Sequence, residues 1–166
     1  ETFNLTTSPN LSLFSNVSFR ISSAGSTIYI DNFNVFCGTP PTGPEINVTG
    51  NAITIPDGDN TPITGDNTNF GSTPISTGVV RTYVIQNIGT TNLNLSLPIT
   101  LSDVSAPQEF TITQPASATV TAGSSVSLTV TFNNAIAGTF TNTININSND
   151  TDEALYTYDI IATATN

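Results

Sequence analysis

Two acidic stretches hold the side chains best placed to do chemistry. The first is "DGDNTPITGD", where Asp57 and Asp59 stand one residue apart and Asp66 returns seven residues later. Carboxylates at alternate positions in a loop are the ligand pattern of a calcium site, with carbonyls and water completing the shell. An EF-hand counted from Asp57 would need Gly at its sixth position and Glu at its twelfth, but Pro62 and Thr68 stand there. Asp57, Asp59 and Asp66 are therefore the calcium candidates, set against a plain solvated loop, which is the expected outcome. The second stretch, "SNDTDE", carries Asp150, Asp152 and Glu153 between two alternating runs. Asn, Asp and Ser close turns by bonding their own backbone, so this stretch reads as a hairpin bend.

Catalysis finds little to work with. The chain has no His for a triad or a metal, and its only cationic side chains are Arg20 and Arg81, so no Lys can form a Schiff base or shuttle protons. Paired carboxylates could serve a glycosidase, but these lie in turns, where desolvation is slight. The Gly-rich "TGDNTNFGSTP" lacks the Lys of a phosphate loop. Cys37, the lone cysteine, follows Phe36 and reads as a small buried hydrophobe rather than a reactive thiol. The expectation is no catalytic residue and no cofactor apart from calcium.

Charge narrows the partners. A net charge of −10 opposes binding to nucleic acid and to anionic lipid surfaces. No apolar run approaches the roughly 20 residues of a membrane helix, so no membrane insertion is expected. Sugar sites favour aromatic platforms; there is no Trp, and Tyr29, Tyr83, Tyr156 and Tyr158 fall within strand-like runs as core or sheet-face residues. Six glycosylation sequons begin at Asn4, Asn10, Asn16, Asn47, Asn94 and Asn149, and matter only if the host glycosylates them. Residue 1 is Glu, without a basic stretch or apolar segment after it. The Ser/Thr/Asn-rich chain thus reads as a mature or excised piece of an exported protein.

These side chains must be positioned by strands, because no segment carries helical periodicity. Residues 1–38 hold two strand-like runs, "NVSFRIS" and "STIYIDNFNVFCG", too few for a domain. Their apolar faces would complete a missing domain or be donated to a neighbouring copy. Residues 39–44, "TPPTGP", form a stiff linker. In 45–166 the alternation of Val, Ile, Thr, Phe and Tyr predicts strands near 45–49, 51–55, 79–88, 92–101, 109–113, 117–121, 125–133, 138–147 and 154–164. Val126, Leu128, Val130 and Phe132 should share a buried face, as should Phe140, Ile144 and Ile146, with Asn142 breaking the pattern. Tyr83 and Ile85 should point inward, Asn87 should tie down the following turn, and Gly89 should supply a positive φ. The fold class is all-β: an immunoglobulin-like β-sandwich preceded by an N-terminal β segment.

The order of "INVTGN", "TYVIQNIGTTNLNL", "TAGSSVSLTVTF" and "TFTNTININSNDTDEALYTYDI" resembles the choice-of-anchor D module, a bacterial relative of the ASH/Hydin-type immunoglobulin-like domains, over 45–166. "FNNAIAG" departs from it where the family often has Pro after Phe. Residues 17–38, with "YIDNFNV", are similar to the closing strands of a jelly-roll module. The resemblance implies a non-catalytic extracellular module of a bacterial cell-surface protein, often in Bacteroidetes. On this reading the module acts as structural spacer, adhesion unit or filament subunit, whose partners are neighbouring domains or further copies paired through β-strands. The alternative is a carbohydrate-binding accessory module of a secreted multidomain protein, with glycans as partners.

Overall fold

The structure is a computed structural model that describes residues 42–104 and 109–166. The expected strands of 1–38, with Tyr29 and Cys37, and most of the linker lie outside the described residues. Among the described residues ten strands form: β1 (Ile46–Gly50), β2 (Ile53–Ile55), β3 (Asn69–Pro74), β4 (Val79–Asn87), β5 (Leu93–Leu101), β6 (Phe110–Thr113), β7 (Thr119–Val120), β8 (Ser125–Phe132), β9 (Gly138–Ser148) and β10 (Leu155–Thr165). They make two five-stranded sheets, ordered β2-β1-β4-β8-β6 and β3-β10-β9-β5-β7. The all-β sandwich read from the sequence is the fold.

Alternation built the core as expected. Tyr83 and Ile85 of β4, Leu128, Val130 and Phe132 of β8, and Ile144 and Ile146 of β9 are all buried, as are Tyr156, Tyr158 and Ile160 of β10. Their outward neighbours are mostly Ser, Thr and Asn, so each strand separates an apolar from a polar face. Rings run through one end of the core: Phe70 meets Phe110 at 5.6 Å, Phe110 meets Phe132 at 5.1 Å, and Phe132 meets Phe140 at 5.9 Å. Val126 and Phe140, also expected on buried faces, are only partly buried, each near the beginning of its strand, and the Phe140 ring lies over Gly138.

Three local expectations need correction. Strand β3 was not foreseen, since "NFGSTP" contains Gly and Pro and a single large hydrophobe, Phe70. Such a sequence is tolerated at a sheet edge, and β3 lies there, parallel to β10. Asn142 does not break the inward pattern of β9. It is buried, its Nδ2 donating to the Asp103 carbonyl (2.8 Å) and its Oδ1 accepting from the Asp103 amide (3.1 Å). Gly89 is needed for space rather than for positive φ: a Cβ there would lie 2.3 Å from the Gly43 carbonyl oxygen and 2.6 Å from the Glu45 nitrogen. The chain before β1 is thereby strapped to the β4–β5 turn, with Thr90 N–H donating to Gly43 O and Ile88 N–H to Glu45 O, each at 2.9 Å.

Candidate functional site

The loop between β2 and β3 holds the three aspartates that the sequence offers for calcium. Each closes a different piece of local structure. Asp57 Oδ1 accepts the Thr157 amide of β10 at 2.7 Å. Asp59 Oδ1 accepts both the amide (2.9 Å) and the hydroxyl (2.8 Å) of Thr61, an Asx turn. Asp66 Oδ1 accepts the amide (3.0 Å) and hydroxyl (2.6 Å) of Thr68. The structure does not bring Asp57, Asp59 and Asp66 together into one ligand cluster.

Nor is this loop solvated throughout, as expected from its composition. Asp66 is 2% and Thr68 0% exposed. Gly50 lets β1 pass so close that a Cβ there would stand 1.7 Å from the Asp66 carbonyl oxygen. The Tyr83 hydroxyl donates to the Asn67 carbonyl at 2.8 Å, which anchors the loop to the core. Burial, and then the Asp66 carboxylate, raise the Tyr83 pKa and keep that hydroxyl a donor.

The second acidic stretch is the β9–β10 hairpin turn, 149–154, as expected. Asn149 ties it to the start of β5, accepting from the Asn94 amide at 2.6 Å and donating to the Asn92 carbonyl at 3.2 Å. What the sequence did not disclose is the partner from the other sheet. Asp150 Oδ2 accepts the Ile46 amide of β1 at 2.8 Å. That bond carries Glu45 to the turn, and carboxylate oxygens of Glu45, Asp150 and Asp152 lie within 4.8 Å of one another. Asp150 is 1% exposed, and its other oxygen, Oδ1, is buried without a hydrogen-bond partner. Glu153 Oε2 is also buried and unpartnered.

The electrostatics of this end are those of crowded acids. Burial, and then Glu45, Asp150, Asp57 and Asp152, push Glu153 up to about 7. Burial, followed by Asp150 and Asp152, also raises Glu45. Arg81 is committed elsewhere, donating to the Phe70 carbonyl at 3.1 Å with its guanidinium 5.9 Å from the Phe70 ring centre. No signal in the "SNDTDE" stretch points to Glu45, which joins the turn only through sheet packing.

Of the tyrosines weighed for sugar stacking, Tyr83, Tyr156 and Tyr158 are in the core, and Tyr29 lies outside the described residues. Tyr83 and Tyr158 pack at 5.3 Å, and Tyr156 is buried with its hydroxyl donating to the Ile55 carbonyl. A shallow polar depression of about 250 Å³ is lined by Ser102, Asp103, Thr141, Asn142, Thr143 and Asp159, with no aromatic side chain.

Residues 63–159, more than half of the chain, match the family model described as the HYDIN/CFA65/VesB-like, Ig-like domain. No curated protein matches the chain in sequence. Among solved structures, a protein of unknown function from Porphyromonas gingivalis W83 is similar at 14% identity and a TM-score of 0.53, over 76% of this chain and 50% of that one. The chain thus spans half the length of that protein, and at this identity the likeness is one of fold. The ASH/PapD-like domain 7 of human CEP192 is similar at 13% identity and a TM-score of 0.47, over 84% of this chain and 98% of that domain. The secreted serine protease VesC of Vibrio cholerae gives 13% identity and 0.46, over 58% of this chain and 21% of that one.

Proposed function

The chain belongs to the HYDIN/CFA65/VesB-like, Ig-like domain family, and from that premise we propose that it is a non-catalytic structural module, of the choice-of-anchor D kind, in a bacterial surface protein or filament. It acts as a spacer or assembly unit, outside the cell. The observation that carries this reading is the use to which the polar side chains are put. Asp57, Asp59, Asp66, Asn87, Asn142 and Asn149 bond backbone groups of neighbouring strands and turns, so they hold the sandwich together. A scarcely charged surface of Ser, Thr and Asn, free of Lys, supports an extracellular setting.

Assembly would proceed through strands. The sheet edges among the described residues are β2, β6, β3 and β7, and the apolar runs of 1–38 exceed what a lone hairpin can bury. Strand donation to a neighbouring copy would supply main-chain bonds and pockets for alternate side chains. Light scattering on residues 1–166 and 44–166 tests this, since among the described residues the apolar core runs from Ile46 to Ala164. The expected result is association of the longer chain and a monomeric shorter one. Monomers in both cases, with saturable binding on a glycan array, would replace this reading with the carbohydrate-binding one.

A further inference from the structure

We propose that Glu45, Asp150 and Asp152 hold a calcium ion that fastens the entry of the chain into β1 to the β9–β10 turn. The geometry is that of a shared ligand sphere. Calcium takes oxygen ligands at about 2.4 Å, so two ligands on opposite sides of one ion stand about 4.8 Å apart. Oxygens of these three carboxylates lie within 4.8 Å of one another.

Asp150 is the independent indication. Its Oδ2 is fixed by the Ile46 amide, while Oδ1 is buried with no partner. A carboxylate oxygen withdrawn from water and left unbonded is expensive, and a positive ion is the partner that removes the penalty. Glu153 Oε2 presents the same deficit three residues away. The chain has no Lys or His, and Arg81, the one cationic side chain among the described residues, is engaged with Phe70.

The donor set selects the ion. Three carboxylates without Cys or His favour a hard cation over zinc or copper. Glu45 precedes a strand, whereas Asp150 and Asp152 lie in a turn, and Asp152 is exposed, leaving positions for water. That irregular arrangement suits the variable coordination of calcium better than the octahedron magnesium demands.

The ion would add a side-chain lock to a backbone strap. Gly43 and Glu45 are already bonded to the β4–β5 turn through Thr90 and Ile88. Drawing the Glu45 carboxylate onto Asp150 and Asp152 fixes the point at which the Pro-rich segment meets the sandwich. The site is independent of the assembly reading, because it lies within one copy of 42–166.

Thermal unfolding of the 1–166 chain, stripped with chelator, tests the assignment. Extracellular calcium modules bind in the range of roughly 10⁻⁴–10⁻³ M, so 10 mM calcium chloride should raise Tm by roughly 3–10 °C. Sodium chloride at matched ionic strength should do less, since it only screens the net negative charge. Asp152→Asn, at an exposed position, should fold normally and lose the calcium-specific rise, while Asp59→Asn should keep it. A wild-type rise no larger than that with sodium chloride overturns the proposal. So does a full rise in Asp152→Asn, or a rise lost only in Asp59→Asn, which would place the ion in the β2–β3 loop.

Discussion

Asn87 at the end of β4 donates its side-chain Nδ2 to the carbonyl of Val120 in β7 at 2.8 Å, joining the two sheets across 33 residues. The same carboxamide donates to Thr91 O at 2.7 Å and accepts the amides of Gly89 (3.1 Å) and Glu45 (3.3 Å). Asn87→Ala leaves several of these groups buried without partners and should cost about 2–4 kcal/mol. Asn87→Asp should be no better, because a carboxylate cannot donate to the two carbonyls. Urea unfolding should show a lower midpoint with an unchanged slope. A midpoint within error of wild type would mean that water replaces the carboxamide.

Asn87 was legible in the sequence because it follows an alternating run and precedes Gly89, so its role is local in part. Its link to Val120 was not, since it depends on how β7 packs. The acidic clusters divide in the same way. That 149–154 is a hairpin turn follows from the alternating runs on either side. That Glu45 joins it follows only from β1 and β9–β10 belonging to facing sheets, a pairing of residues more than a hundred positions apart. Loop spacing favoured Asp57, Asp59 and Asp66, yet hydrogen bonds to Thr157, Thr61 and Thr68 draw the three carboxylates to separate duties. Strand β3 leaves no clear pattern in the sequence, because an edge strand beside β10 does not need a continuous apolar face.

Ala52 adopts a left-handed backbone conformation that a Cβ disfavours. Asn51 and Ala52, between the paired Gly50 and Ile53, adopt φ of 49° and 63°. Positive φ at both central residues marks a type I′ hairpin, for which Asn-Gly is the preferred pair. Asn51 suits its place and also donates to the Gly65 carbonyl at 3.0 Å. Ala52 pays the Cβ penalty of the left-handed region, so Ala52→Gly should stabilise the chain by about 0.5–1 kcal/mol. A fall in Tm on this substitution would contradict the turn assignment.

Phe132 is fully buried and packs its ring against both Phe110 and Phe140. Phe132→Ala should cost about 3–5 kcal/mol, whereas Phe132→Leu, which keeps most of the volume, should cost less. Hydrogen exchange gives a second readout. Amides of β8 should be among the slowest in wild type, and unprotected amides around Phe132 would place the core elsewhere.

Glu153 sets a pH dependence whose sign can be worked out. Burial and four neighbouring carboxylates raise its folded-state pKa to about 7 from an ordinary 4.5. Between these values the folded chain binds more protons than the unfolded one, so stability falls as pH rises through this window and stays low above it. The raised Glu45 adds a contribution of the same sign. In buffer containing chelator, the wild-type Tm should therefore drop between pH 5 and pH 8. Glu153→Gln removes one titrating group, flattens that drop and should be the more stable protein at pH 8. After allowance for solvent screening the gain should be about 1–2 kcal/mol. Parallel Tm curves for the two proteins would mean that water relaxes the crowded carboxylates and that Glu153 titrates as an ordinary surface acid.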